Sequence, residues 1–242
     1  MIEKFIDGVA NDEVLTEKNP FINEKLRSWQ DSELAAEEWK SALLQNSSYG
    51  KSIDYSSNWY SDLSTVELLA RLIYGENFYK STYTSDQKAI SRVVLNRTGY
   101  SRFGGETLKG VAIKSGQFAT ITGNESDTYA ARNPETIKNR DQWQNATFLA
   151  CLLCTTTDEY EWNQIAPMPT GIDTQLYFVG FNYAYKYSLF RSNNGELQYY
   201  MDGSWVNIYD VVVCGRGVLS SINELNDNSR NVNKNVFFNL LE

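Results

Sequence analysis

Apolar positions recur at helical spacing over roughly the first two thirds of the chain, then give way to aromatic and β-branched runs. In "ELLARLIYGENFYK", Leu69, Leu72, Ile73 and Glu76 fall at i, i+3, i+4 and i+7, one face of a helix. That helix opens at "DLSTVE", where Ser64 and Glu67 have capping-box spacing, and ends at Glu76 or Asn77. A second is predicted from Thr84 through "TSDQKAISRVVLNRT", with Ala89, Ile90, Val93 and Val94 on its apolar face. A short third covers "ETLKGVAIK", and the loop "SGQFATITGNESD" follows. A fourth spans "RDQWQNATFLACLLCTT", with Trp143, Ala146, Thr147, Ala150 and Cys154 on one side.

The last third reads as strands. "TQLYFVGFNYAYKYSLF" and "ELQYYMDGSWVNIYDVVV" are aromatic and β-branched. Asp202-Gly203, between two such runs, predicts a hairpin, because a tight primed turn needs positive φ. Helices first and strands last is an α+β order. Residues 1–60 have a different texture: Leu26, Trp29, Leu34, Trp39, Leu43 and Leu44 sit among charges, followed by the polar "NSSYGKSIDYSSNWYSD". The expected division is a helical N-terminal extension over 1–60 and a main domain over 61–242.

Composition narrows the chemistry. With 242 residues, 42% of them hydrophobic, the chain can bury a substantial core. A net charge of −8, with no window dense in Lys and Arg, argues against a nucleic-acid footprint and against adsorption to anionic lipid. The chain has no histidine, which removes Ser-His-Asp and Cys-His nucleophiles and every imidazole zinc site, so acid–base work falls to carboxylates, Lys, Tyr or Cys. Cys151 and Cys154 form a C-x-x-C inside an apolar, helical segment, and Cys214 is distant. Buried free thiols in a reducing compartment are expected, with neither a metal site nor a cofactor. The start, "MIEKFIDGVANDEVLTEK", has no basic n-region or apolar h-region, so no signal peptide is expected, and no segment has the length of a membrane span. The 16 Tyr and six Trp suit core and rim packing, or a groove lined with flat faces for sugar rings.

Glu76 is the anomaly, a carboxylate where the helical period calls for an apolar residue. Partial burial and the negative end of the helix dipole would both raise its pKa, as a general acid for glycosidic cleavage requires. The structural reading is a helix end in water, or an ion pair with Arg92 or Arg97. Glu106 and Asp141 read as helix-dipole partners, and Asn96 and Arg97 as holding a helix-to-loop corner.

"LLARLIYGEN", "QKAISRVVLNR", "RFGGETLKGVAI" and "GQFATITG" occur in the order and spacing of the cell wall hydrolase family of spore cortex-lytic enzymes, the SleB and CwlJ type, which residues 67–123 resemble. Residues 143–219 resemble it weakly, and 1–60 do not. The resemblance implies a lysozyme-like α+β domain, with a small antiparallel sheet near the C-terminus, that cuts peptidoglycan glycan strands by lytic transglycosylation. It makes Glu76 the single general acid and base, with no metal. Gln117 and Phe118 of "GQF", and Tyr177 and Phe178 of the first strand, are the candidate substrate-binding residues, with Phe118 alternatively core. The chain departs from the family at "ENFYKS" after the glutamate, at "VVVCGRG" where a His-Phe pair is usual, and in apparent insertions at 124–142 and 182–205. The expected setting is the spore surface and cortex, in sporulation or germination, or delivery by phage, with residues 1–60 covering the cleft or docking a protein. The rivals are a wall-binding or structural protein that kept the fold without catalysis, and a peptide-cleaving amidase, disfavoured by the missing histidine.

Overall fold

Ser64 accepts the Glu67 backbone N–H at 3.2 Å and starts the helix over Thr65–Glu76 where the sequence predicts it. The computed structural model describes residues 29–77, 83–134, 140–155, 162, 165–214 and 216–241. These are helices α1 (Trp29–Gln45), α2 (Thr65–Glu76), α3 (Tyr83–Arg97), α4 (Leu108–Ile113), α5 (Ala119–Thr122), α6 (Glu125–Arg132), α7 (Arg140–Thr155), α8 (Phe181–Lys186), α9 (Ile222–Leu225) and α10 (Asn228–Asn231). The strands are β1 (Tyr177–Gly180), β2 (Phe190–Asn193), β3 (Glu196–Met201), β4 (Ser204–Val213), β5 (Gly217–Val218) and β6 (Asn235–Leu240). Mixed helices with a small antiparallel sheet near the C-terminus match the expected α+β order. Among the described residues, no helix is long and apolar enough to cross a membrane.

The described residues form two compact units, one from those up to 77 with 97–167, the other from 83–96 with 168–241. The composition-based division at residue 60 follows neither unit. Helix α1 packs against α7, and Trp39 and Ala36 are fully buried. The extension before Trp29 lies outside the described residues.

In the first unit, α2 packs against α7, α6, α4 and α5. Leu69, Leu72 and Ile73 of its predicted stripe are buried, but so are Leu68, Ala70, Arg71 and Tyr74 on its other sides, all at 0% exposure. A helix surrounded this way is held by packing, each buried Leu or Ile contributing about 1.5–3 kcal/mol of transfer free energy. Tyr74 meets Trp143 of α7 edge-on at 5.6 Å, and Trp143 also packs on Tyr49 at 5.3 Å.

The second unit is built on an antiparallel sheet of order β1-β6-β4-β3-β2, with β5 paired to β4. Asp202-Gly203 makes the predicted turn, with φ of 51° and 85°, and Asn194-Gly195 makes a second one between β2 and β3 with 51° and 84°. Both dipeptides supply the two left-handed residues of a primed turn. The predicted strand-like run over 174–190 is interrupted: 181–186 is helix α8, where Phe181 and Ala184, three apart, are buried while Tyr183 and Tyr185 are exposed. Helix α3 is tied to this unit by Arg92 and Asn96, which donate to the Asp173 carbonyl at 3.0 and 2.7 Å, and by Asp86, which accepts the Asn235 N–H at 3.2 Å. Thr84 lies inside α3, which starts one residue earlier, instead of capping it.

Candidate active site

Glu67 does not complete the predicted capping box. Its carboxylate instead accepts from Arg71 Nε and Nη2 at 3.0 and 2.7 Å and from the Gly50 N–H at 3.1 Å. All three donors converge on one carboxylate oxygen, Oε1, and the two from the guanidinium are charge-assisted. Arg71, fully buried, also donates to the Ala131, Arg132 and Lys51 carbonyls at 2.8, 3.2 and 2.7 Å. It thereby binds the carbonyl end of α6, where a cation is favoured, and the loop at 50–53 to the flank of α2.

One turn on, α5 presses against α2 at Gly75. A Cβ there would lie 2.0 Å from Thr120 Oγ1 and 3.1 Å from the Ala131 Cβ. This close approach lets the half-buried Glu76 carboxylate accept the Thr120 N–H at 3.4 Å. The Phe118 side chain cannot cap α5, so Glu76 meets an amide of the first turn that helix geometry leaves free. The four-residue helix is pinned at its other end by Trp59, whose indole N–H donates to the Ile121 carbonyl at 3.0 Å. Thr120 Oγ1, against Gly75, and both amide atoms of Asn77, the residue after Glu76, have no hydrogen-bond partner among the described residues. Thr120 is 5% exposed and Asn77 fully buried. Unpaired buried groups cost about 1–3 kcal/mol each, a local strain at this end of α2.

The sequence-derived candidates divide between the units. Glu76, Gln117 and Phe118 belong to the first. Gln117 is half-buried and its backbone N–H donates to the Lys114 carbonyl at 3.1 Å. Phe118 is 1% exposed, with the Arg97 guanidinium 4.8 Å above its ring, so its ring packs in the interior. Tyr177 and Phe178 belong to the second unit. They alternate across β1 as cross-strand partners of Phe238 and Phe237, with ring centroids 6.0 and 5.6 Å apart. Thr120, Gly75 and Arg71 were not singled out from sequence. A glycine inside an otherwise strong helix, costing about 1 kcal/mol against Ala, was the available signal for close approach. Glu67 and Arg71 at i, i+4 signalled the ion pair.

Replacing Gly75 with Ala is expected to destabilise the protein by about 1–3 kcal/mol, despite the helix propensity gained. Thr120→Ala, which removes the clashing oxygen, should restore part of the loss in the double variant. Thermal unfolding reads this, and a single variant as stable as wild type would refute the close contact.

The thiols lie apart from this chemistry. All three cysteines are free. Burial pushes Cys154 up to about 12, and burial with the neighbouring Cys154 raises Cys151. Burial and the Asp86 carboxylate raise Cys214. At pH 8 a thiol of pKa about 12 is thiolate in only about one molecule in ten thousand. Iodoacetamide should therefore leave the folded protein unlabelled over an hour and alkylate all three sites in urea. Rapid labelling of any one in the folded state would contradict this assignment. Among the described residues, no three Cys, Asp or Glu side chains gather as a metal site.

No family model matches the chain, and no curated protein or solved structure matches it either.

Proposed function

We propose that this chain cleaves the glycan strand of peptidoglycan by a lytic transglycosylase-type reaction, on a lysozyme-like helical unit, with Glu76 as the single general acid and base. One observation carries the reading: a half-buried carboxyl ends a helix whose apolar side chains are otherwise buried. The four ordered motifs of residues 67–123 add the choice of substrate.

The protonated Glu76 gives its proton to the glycosidic oxygen as the bond from muramyl C1 breaks, so the leaving sugar departs with a free hydroxyl. The carboxylate then takes the proton of the muramyl C6 hydroxyl, whose oxygen closes on C1 as an anhydro ring, and Glu76 is protonated again. No second carboxylate is consumed in this cycle. The setting that goes with this substrate is the spore surface and cortex, or a wall reached by phage.

Mass spectrometry of fragments released from purified peptidoglycan tests the reaction. Anhydromuramyl ends are expected; reducing ends would replace the lyase with a hydrolase and require a second carboxylate. The Thr120 N–H contact favours one other reading, in which Glu76 only caps α5 and the protein binds walls without cutting them. Retention on sacculi with no soluble fragments released would establish that alternative.

A further inference from the structure

In the second unit, the outer face of β2, β3 and β4 carries side chains that glycan cleavage by Glu76 does not use. Strand register sets Arg191 opposite Gln198, Gln198 opposite Asn207, and Tyr200 opposite Trp205. Alternation puts Phe190, Leu197, Tyr199 and Ile208 on the opposite, core face. Arg191 Nε donates to Gln198 Oε1 at 2.7 Å, Gln198 Nε2 to Asn207 Oδ1 at 2.6 Å, and Asn207 Nδ2 to Glu196 Oε2 at 2.5 Å. The Arg191 guanidinium lies 4.1 Å from the Trp205 ring centroid, and Trp205 packs on Tyr200 at 5.3 Å. Gln198 is the buried pivot; Arg191, Glu196 and Tyr200 are exposed, and Asn207 and Trp205 half-buried.

Ordering long polar side chains costs up to about 2 kcal/mol each in rotamer freedom, a cost a face that meets only water does not need to bear. The groups left available have a particular character. Asn207, after giving one N–H and accepting one, keeps a second N–H and a second lone pair. Arg191 adds donors, Glu196 adds acceptors, and their charges cancel. A phosphate would call for donors alone, and a cation for acceptors alone. Hydroxyls both give and accept, and the C–H face of a pyranose suits the adjoining aromatic rings.

We propose that this face binds saccharide through residues the proposed cleavage does not use, its ligand a glycan that presents hydroxyls to Arg191, Glu196 and Asn207 and a pyranose face to Trp205 and Tyr200. The choice of peptidoglycan as that glycan rests on the proposed function. Much of the face lies in 182–205, where the chain departs from the family it resembles, and no cleavage is assigned to it.

The test measures sedimentation of the full chain, carrying Glu76→Gln to prevent cutting, with protein-free sacculi. The parent should be retained, and adding Trp205→Ala or Asn207→Ala should weaken retention about tenfold, the scale of one or two hydrogen bonds or a stacked ring. Circular dichroism should show both variants folded; Asn207→Ala, which removes no ring, keeps the test open if Trp205→Ala does not fold. Binding within twofold of the parent by a folded variant would overturn the site, as would no retention of the parent. Loss confined to crude, protein-bearing walls would assign the face to a protein partner and overturn it too. Cleavage by protein with Glu76 intact is read separately, so absent cleavage with intact, Trp205-dependent retention would sink the proposed function and leave this site standing.

Discussion

Glu76→Gln is expected to slow fragment release from purified peptidoglycan by about 10²–10⁴-fold, the range that a positioned general acid or base supplies. The amide has the size of the acid and keeps an oxygen that can accept the Thr120 N–H, so α5 should stay where it is. What it cannot do is deliver an acidic proton or take one back. Thermal unfolding should therefore move little while the rate collapses. Glu76→Asp should fall between the two, since it keeps the acid but withdraws it by one methylene from both Thr120 and the bond to be broken. The capping alternative expects something different: if Glu76 serves only α5, the Gln variant preserves the contact, and there is no fragment release for it to lose. A Gln variant that keeps more than about a tenth of the wild-type rate would remove Glu76 from the chemistry.

Arg71→Met is expected to cost about 3–5 kcal/mol of stability, the scale for removing one partner from a buried ion pair. Methionine fills much of the same volume, so the loss is chiefly polar. The Glu67 carboxylate would keep the Gly50 N–H alone, and three backbone carbonyls would lose a charged donor at the end of α6 and in the loop at residue 51. Loosening of α6 would also release Ala131 from Gly75, the residue before Glu76. Activity should thus decline with stability, unlike in Glu76→Gln, where only the rate falls. Chemical denaturation measures this, and a loss under about 1 kcal/mol would show that the Arg71 network is not what secures this end of the unit.

The elements were legible to the degree that their signals are local. Helix α2 begins at its Ser64 cap and ends at Glu76, and α7 runs over the predicted segment, because cap chemistry and the 3.6-residue period are properties of the nearby chain. The Asp202-Gly203 hairpin was legible for the same reason, and Asn194-Gly195 carried an equal signal that the aromatic texture around it obscured. Helix α8 was not legible as a helix: its aromatic run has strand composition, and what decides it is burial of Phe181 and Ala184 in the core of the second unit.

Glu76 shows where local reading stops. The sequence alone places a carboxylate at the end of an apolar helix, withholds histidine and lays out four ordered motifs, and from these the candidate acid follows. Tertiary structure decided that α2 is buried on nearly all sides, so the stripe that first set Glu76 apart is not special, and the carboxylate is half-exposed because it ends the helix. Tertiary structure also brought Thr120, 44 residues away in sequence, to its side across Gly75, and put Phe118 under Arg97 in the interior. Caps, turns and periods are settled by neighbours along the chain. Which face meets which partner is settled by burial and close packing between distant segments.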